Sequence, residues 1–140
     1  MTIQSVMTSK PACCSTSTPL REVAQLMVQH DCGQIPVVDE AGKPVGVITD
    51  RDITVRMVAA GRETLTGCAA DAMSSPAQTV SVDSPLKDAV CLMEASKIRR
   101  VPVVDANGKL TGMVSLADLA LSGKDEATME VVKEVSAPTR

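Results

Sequence analysis

A pattern of nineteen residues occurs twice in this chain of 140 residues, and this repetition constrains the fold more than any other feature. Residues 35–53 read IPVVDEAGKPVGVITDRDI, and residues 101–119 read VPVVDANGKLTGMVSLADL. Asp52 corresponds to Asp118 and Pro36 to Pro102, and the offset between the copies stays constant along the pattern. Because a repeated pattern indicates a repeated structural unit, we expect two similar units packed about a pseudo-two-fold axis, with clefts between them that suit small ligands.

Each repeat predicts the same order of elements. A helix follows Thr18-Pro19 and Ser84-Pro85, where the hydroxyl residue suits the N-cap and Pro suits the first helical position. Gly33 is expected to end the first helix. The apolar stripes expected to face the core are Leu20, Val23, Ala24, Met27 and Val28 in the first helix and Leu86, Ala89, Val90 and Met93 in the second. Paired strands are predicted at 35–38 and 45–49 and at 101–104 and 110–115, with final helices from near Asp50 to about Ala60 and from near Leu116.

These elements divide the chain into four segments. The first repeat takes residues 1–61, a linker takes 62–72, and the second repeat takes 73–123. A C-terminal helix and tail are expected over 124–140. Short leads, Val6-Met7-Thr8 and Ala72-Met73-Ser74, also match at the same offset as the longer pattern. We therefore predict a mixed α+β fold.

Composition excludes several classes of function. Phe, Trp and Tyr are absent, and the net charge is −3, whereas single-strand nucleic-acid binders stack bases on aromatic rings and carry basic surfaces. No apolar run approaches the ~20 residues that span a bilayer, and the first residues lack the apolar core of a signal peptide. We expect a cytoplasmic protein without nucleic-acid or membrane partners.

The repeated residues resemble a known family. The lead Val-Met-Thr, the strand Ile-Pro-Val-Val-Asp, the Gly-X-X-X-Gly segment and the ending Thr-Asp-Arg-Asp-Ile resemble a CBS repeat, and the second set resembles another. Together they are similar to a stand-alone CBS pair, or Bateman module. This resemblance implies two β-α-β-β-α units, a homodimer, and a regulatory adenosine-containing ligand: AMP, ADP or ATP, or in some members S-adenosylmethionine or a nicotinamide dinucleotide. It implies no obligatory cofactor.

The resemblance also implies where the ligand binds. Each second strand ends in a hydroxyl residue followed three positions later by Asp: Thr49 and Asp52, then Ser115 and Asp118. A carboxylate can accept hydrogen bonds from both ribose hydroxyls, and the Thr or Ser hydroxyl can reach ribose or phosphate. The same residue types also cap helices with no ligand present, so both interpretations stay open.

Cations are distributed unevenly between the two repeats. Arg51 lies in the first motif, and Arg99 and Arg100 precede the second Pro-Val-Val strand, where the first repeat has Gln34 and Ile35. Arg suits bidentate phosphate contact, although a solvated charge cluster is the alternative. The resemblance implies that each site borrows the lead of the other repeat. The expected ligand-binding residues are Thr8, Ala12, Gln34, Ile35, Thr49, Arg51, Asp52, Ala77, Thr79, Arg99, Arg100, Ser115 and Asp118.

The cysteines and the single His30 show no metal-ligand or catalytic spacing, so we expect neither a metal site nor an enzyme. Cys32 and Cys91 are expected to be small buried residues, whereas adjacent Cys13 and Cys14 are a candidate redox pair. Three functions therefore compete. They are a nucleotide sensor that signals through conformational or dimer change to a partner in trans, a ligand-free dimerisation or protein-interaction module, and a redox-responsive protein.

Overall fold

The computed structural model describes residues 2–121, which form alternating short strands and helices. The strands are β1 (Thr8–Ser9), β2 (Gln34–Val38), β3 (Pro44–Thr49), β4 (Val80–Ser81), β5 (Arg100–Val104) and β6 (Leu110–Ser115). The helices are α1 (Leu20–His30), α2 (Asp50–Asp52), α3 (Ala69–Ala72), α4 (Leu86–Ser96) and α5 (Leu116–Leu121). A 3-10 turn lies at Ile3–Ser5, and a π-helix at Ile53–Val58 continues α2. The C-terminal helix and tail expected over 124–140 lie outside the described residues.

The chain folds into two compact units that do not coincide with the two sequence repeats. One unit, which we call the split unit, takes the described residues up to Pro11 and from Gln78 onward. The other, which we call the continuous unit, is Ala12–Ala77. The predicted boundaries after residues 61 and 72 separate the repeats. The structural boundaries fall after Pro11 and after Ala77, because each unit includes the lead of the other repeat.

The split unit is built on a four-stranded sheet in the order β1-β6-β5-β4. Strand β1, from the first repeat, runs antiparallel to β6 and places Thr8 opposite Met113. Strands β6 and β5 form an antiparallel hairpin, and β4 lies parallel to β5. The buried core residues are Ile3, Val80, Leu86, Ala89, Met93, Val101, Val103, Val114 and Leu119.

The continuous unit repeats this arrangement with shorter pairings. Strands β2 and β3 form an antiparallel hairpin. Cys14 bridges Val37 in parallel fashion, as β4 pairs with β5, and Ser74 bridges Val47 in antiparallel fashion, as β1 pairs with β6. Its buried core residues are Cys14, Leu20, Val23, Ile35, Val37, Ile48, Met57, Ala69 and Ala72. The same pattern of strand pairing therefore occurs in both units, in agreement with the repeat seen in the sequence.

Backbone hydrogen bonds fasten the residues just before each lead to the segment that precedes a helix of the same unit. The N–H of Ile3 donates to the carbonyl of Ser84 (3.0 Å), and the N–H of Ala69 donates to that of Thr18 (2.8 Å). The residues before α1 and α4 are consequently extended, and Pro19 (ψ 140°) occupies the N-cap position instead of the first helical position. The predicted capping by Thr18 is wrong for this reason. Capping by Ser84 is wrong in the same way, because Pro85 occupies the N-cap position of α4.

Three local predictions also need correction. Helix α1 ends at His30 and is followed by Asp31, the C-cap residue in the left-handed conformation (φ 48°), so Gly33 does not end it. Val28 is 81% exposed and Ala24 is exposed, so the buried stripe of α1 is narrower than predicted. Cys91 is exposed because it lies two residues, about 200° of helical rotation, from the buried face of α4. Among residues 2–121, each helix is too short or too polar to cross a membrane.

Candidate functional site

Both hydroxyl-and-carboxylate motifs form complete capping boxes where a strand passes into a helix. In the continuous unit, the hydroxyl of Thr49 accepts a hydrogen bond from the N–H of Asp52 (3.0 Å), and Oδ2 of Asp52 accepts one from the N–H of Thr49 (2.9 Å). In the split unit, the corresponding distances for Ser115 and Asp118 are 3.1 Å and 2.9 Å. A capping box satisfies two backbone donors reciprocally, and it also fixes each carboxylate in one orientation.

The second oxygen of Asp52 faces further polar groups of the continuous unit. The hydroxyl of Ser74 lies 3.4 Å from Oδ1 of Asp52 and donates toward it. Nε of Arg56 lies 3.9 Å from the same oxygen, and Nη1 of Arg56 donates to the carbonyl of Met73 at 2.9 Å. The side chain of Asp52 is 15% exposed. The carboxylate is therefore held by one backbone donor and is approached by two side chains.

Asp118 has a simpler environment. The ion pairs found within residues 2–121 join Arg56 to Asp52 and Arg62 to Asp71, so neither involves Asp118. The position of Thr8 in β1 corresponds to that of Ser74, and Thr8 is exposed. The two carboxylates thus share a capping geometry, while the groups around their second oxygens differ.

The residues that precede each Pro-Val-Val strand lie beside these boxes. In the antiparallel ladders, Gln34 is directly opposite Thr49, and Arg100 is directly opposite Ser115. Directly opposed residues point to the same face of a sheet with Cβ atoms about 5 Å apart. Ile35 is wholly buried in the core, so its side chain is not available to a ligand, and Gln34 is the residue that corresponds to Arg100.

Gln34 and Arg100 differ in burial as well as in charge. Gln34 is 8% exposed, and its side-chain oxygen Oε1 is buried with no hydrogen-bond partner among the described residues. Arg100 is half-buried, and the neighbouring Arg99 is exposed. The carbonyl of Arg99 accepts a hydrogen bond from the N–H of Leu116 at 2.8 Å, which anchors the start of α5.

The other predicted site residues are distributed between the units. Arg51 is exposed in α2, and its N–H donates to Oδ1 of Asp50 (2.9 Å). Ala77 is the last residue of the continuous unit, which also contains Asp52. Ala12 packs against the core of the continuous unit, and Thr79 belongs to the split unit. Each of these last two residues therefore lies outside the unit that contains its expected carboxylate.

The family resemblance implied that the lead containing Ser74 lies beside Asp52, but neither the hydroxyl contact from Ser74 nor the ion pair with Arg56 was predicted. For Ser74 the sequence did contain an indication, because the repeat offset makes Ser74 equivalent to Thr8, which was itself an expected ligand-binding residue. Arg56 lies four residues after Asp52, a spacing that brings side chains together on a helix. A third capping box was also missed: Oδ2 of Asp71 accepts from the N–H of Cys68 at 2.9 Å. This bond is the main cause that lowers the pKa of Asp71 below its usual value.

The adjacent cysteines are unlike each other. Cys13 is exposed, whereas Cys14 is buried. Burial, followed by repulsion from the neighbouring Cys13, raises the pKa of the Cys14 thiol to about 11. Because the thiolate is the reactive form, Cys14 is poorly suited to redox chemistry near neutral pH. In the part of the chain that the structure describes, no three His, Cys, Asp or Glu side chains are grouped as metal ligands.

The chain thus contains two such units, and in each a carboxylate is held in a capping box just after the end of a strand. The family model named "CBS domain" matches residues 3–59 and 69–123. The chain therefore belongs to the CBS domain family.

Relatives support this assignment over most of the chain. The CBS domain-containing protein YhcV of Bacillus subtilis is 40% identical over 120 residues, which are 86% of this chain and 84% of YhcV. The uncharacterized protein MK0525 of Methanopyrus kandleri is 41% identical over 98 residues. That alignment covers 70% of this chain but only 50% of MK0525.

Solved structures have the same fold. Hypoxic Response Protein I, with two coordinated zinc ions, superposes with a TM-score of 0.80 and 30% identity over 86% of this chain and 98% of that one. CBSX2 of Arabidopsis thaliana, in complex with AMP, superposes with a TM-score of 0.76 and 27% identity over 89% of this chain and 97% of that one. The CBS pair of MJ0100, in complex with 5'-methylthioadenosine and S-adenosyl-L-methionine, superposes with a TM-score of 0.76 and 27% identity. The superposition covers 90% of this chain and 98% of that one.

Proposed function

We propose that this CBS pair is a regulatory module that binds an adenosine-containing ligand through Asp52, Asp118 or both. The observation that carries the proposal is that the same oriented carboxylate is built twice. In each case Oδ2 is occupied by a backbone N–H. A carboxylate has about four acceptor positions, so one capping bond leaves room for the two hydroxyls of a ribose, which at Asp52 would share Oδ1 with the longer contacts from Ser74 and Arg56.

The lead segments support the same proposal. In the continuous unit, the backbone of Ser74 pairs with Val47, two residues before Thr49. In the split unit, Thr8 pairs with Met113, two residues before Ser115. Each carboxylate therefore has beside it a short segment whose backbone groups can read the polar edge of a base, as the family resemblance implies.

Two structural relatives bind ligands of this chemical class. CBSX2 binds AMP, and MJ0100 binds 5'-methylthioadenosine and S-adenosyl-L-methionine. These ligands share an adenosine group and differ in the substituent on the 5' carbon. We extend the adenosine group to this chain, with an adenine nucleotide (AMP, ADP or ATP) as the first candidate.

Regulation requires that binding change the protein. A ligand shifts a conformational equilibrium only as far as it binds one state better than the other. We propose that the output is a change of conformation or of homodimer packing, which a protein partner in the cytoplasm detects. The module itself performs no catalysis in this proposal.

The test is thermal melting with AMP, ADP, ATP, S-adenosylmethionine and NAD, followed by calorimetry on any nucleotide that stabilises the protein. A ligand at ~100 times its Kd adds about 2.7 kcal/mol, or roughly 8 °C for a chain of this length. Saturable binding that also alters the sedimentation of the protein supports the proposal. Absence of any stabilisation by all five compounds would refute it.

The capping boxes favour a second candidate, a ligand-free interaction module. Both Asp residues have a complete structural role without any ligand. Under this alternative, a substitution of Asp52 or Asp118 that preserves the capping hydrogen bond changes neither stability nor binding. The module then binds only a protein partner or a second copy of the chain, without any small ligand.

A further inference from the structure

We infer that the site at Asp52 takes an uncharged adenosine-type nucleoside, and that Gln34 is the residue that rejects a phosphate there. The inference rests on the proposed function and names the ligand class of one of its two sites. It begins from one position that differs between two units with the same hairpin register: Gln34 in β2 and Arg100 in β5.

The two residues are equivalent in backbone position. Gln34 is opposite Thr49, and Arg100 is opposite Ser115. Each is therefore the direct cross-strand neighbour of the hydroxyl residue of a capping box, and its side chain lies on the same face of the hairpin as that hydroxyl. The clearest difference at these two positions is therefore that between the side chains themselves.

Gln34 is poorly suited to an anion. It is 8% exposed, and its buried Oε1 has no hydrogen-bond partner among the described residues. A buried carbonyl oxygen without a partner is unfavourable until a donor reaches it. A phosphate at pH 7 offers mainly acceptor oxygens, whereas a hydroxyl or amino group of a nucleoside offers the missing donor. A neutral amide also cannot balance the charge of a buried phosphate.

The two arginines that follow Thr49, Arg51 and Arg56, do not replace the missing charge beside Gln34. Arg56 already donates to the carbonyl of Met73 and pairs with Asp52. Arg51 is exposed, where water and salt screen its charge. Asp50 and Asp52 balance these two arginines. The local charge therefore does not favour an anionic ligand.

The split unit has the opposite character. Arg100 is half-buried beside the capping box, and a guanidinium offers five donors in a geometry that matches phosphate. Arg99 adds a second positive charge, and Asp118 is the nearby carboxylate in the motif. The site at Asp118 therefore serves as an internal comparison, in which a nucleotide is expected to bind better than a nucleoside.

The experiment uses the full chain with one site weakened at a time. Asp118→Asn leaves the Asp52 site, and Asp52→Asn leaves the Asp118 site. Calorimetry with adenosine and with AMP gives the affinity ratio for each site. We expect the Asp118→Asn protein to bind adenosine at least as tightly as AMP, and the Asp52→Asn protein to prefer AMP.

Exchange of the distinguishing residue should exchange the preference. Adding Gln34→Arg to the Asp118→Asn protein should raise the preference for AMP over adenosine about tenfold, which is the scale of one charge-assisted hydrogen bond. Adding Arg100→Gln to the Asp52→Asn protein should lower that preference by a similar factor. Arg100 occupies the equivalent position in the split unit, where its side chain is half-buried.

A second variant keeps the inference testable if Gln34→Arg does not fold. Gln34→Leu removes the polar group while keeping most of the bulk of the side chain. In the Asp118→Asn protein it should weaken adenosine binding severalfold, and a melting curve checks that the protein is folded. Unchanged adenosine affinity in this folded variant overturns the role of Gln34.

Failure of the inference differs from failure of the proposed function. Equal affinity ratios in the two single-site proteins, or a preference for AMP at the Asp52 site that Gln34→Arg does not change, overturns the inference alone. If neither adenosine nor AMP binds the unmodified chain, and the other nucleotides also fail, the proposed function is refuted and the inference falls with it.

Discussion

Replacing Asp52 by Asn and by Ala separates the capping role of this residue from its proposed ligand role. The carboxylate accepts a hydrogen bond from the N–H of Thr49 at 2.9 Å. Asn retains an oxygen that can accept this bond, whereas Ala leaves the N–H without its partner. Loss of one such hydrogen bond typically costs about 1 kcal/mol, so Asp52→Ala should lower the melting temperature by roughly 3 °C, and Asp52→Asn should lower it less.

Ligand binding should respond in a different order. A ribose diol would donate two hydrogen bonds to the carboxylate, and a hydrogen bond to a charged group contributes about 1.5–3 kcal/mol. The amide of Asn has no charge and a single acceptor oxygen. Asp52→Asn should therefore weaken ligand binding at that site at least about tenfold, although the fold is nearly unaffected. The ion pair between Arg56 and Asp52 changes this estimate little, because Arg56 is 50% exposed and such pairs contribute at most about 1 kcal/mol.

The chain offers a matched control for this experiment. Asp71 completes a capping box with the N–H of Cys68 at the same distance of 2.9 Å, and it lies outside the proposed site. Asp71→Asn should change stability to a similar extent and leave ligand affinity unchanged. The assay is thermal melting without ligand together with calorimetry for the nucleotide that binds. If Asp52→Asn and Asp118→Asn both leave affinity within about twofold, the carboxylates are only caps, and the proposal that they accept hydrogen bonds from a ribose is wrong.

Three further predictions concern the leads, the cysteines and acid stability. Gly46→Ala should destabilise the protein by about 1–3 kcal/mol in denaturant unfolding, because an added Cβ would lie 2.7 Å from the carbonyl oxygen of Ser74. Iodoacetamide at pH 7.5 should label Cys13 of the folded protein much faster than Cys14, as located by fragmentation of the labelled peptide in a mass spectrometer. The reason is that a pKa of about 11 for Cys14 leaves roughly one thiolate in three thousand. The pKa of Asp71 lies below its ordinary value of 3.8, chiefly because of the hydrogen bond from Cys68. Its contribution to stability is therefore full above pH ~4 and is lost as the pH falls through the lowered pKa.

Each of these predictions has its own check. Gly112→Ala meets the flexible side chain of Met7 instead of backbone, so it should be milder than Gly46→Ala, and the reverse order would contradict the argument from Ser74. Rapid labelling of Cys14 would contradict its burial and restore the redox interpretation. For Asp71, the Asn variant should lose less stability than the unmodified chain between pH 4 and pH 2. An identical acid dependence in the two proteins would contradict the lowered pKa.

Local features of the site were predictable because they depend on residues close together in the sequence. Thr49 and Asp52, like Ser115 and Asp118, are three positions apart, and a capping box needs no more than that spacing. The paired strands were predicted within a residue or two because β-branched runs and Gly-containing turns mark them. Errors arose where burial decides the outcome: Ile35 faces the core, and Cys91 faces solvent.

The distant features of the site were not predictable from the residues. Ser74 lies 22 positions from Asp52 in the sequence, and no local pattern brings the two together. An exchange of the leads was expected only from the resemblance to the CBS family. The unpaired Oε1 of Gln34 was likewise invisible, because a sequence shows which groups can form hydrogen bonds but not which of them are buried without a partner.

The sequence by itself determined that this protein contains two copies of one pattern at a constant offset. It also determined that a capping box, with its carboxylate, follows the second strand of each copy. Hydrophobic periodicity and capping act over a few residues, so both are written in the local order of side chains. Only the tertiary structure decided which lead pairs with which strand. Gly46 and Gly112 both give a lead room to approach, so the local sequence permits either pairing, and the choice depends on how the whole chain packs.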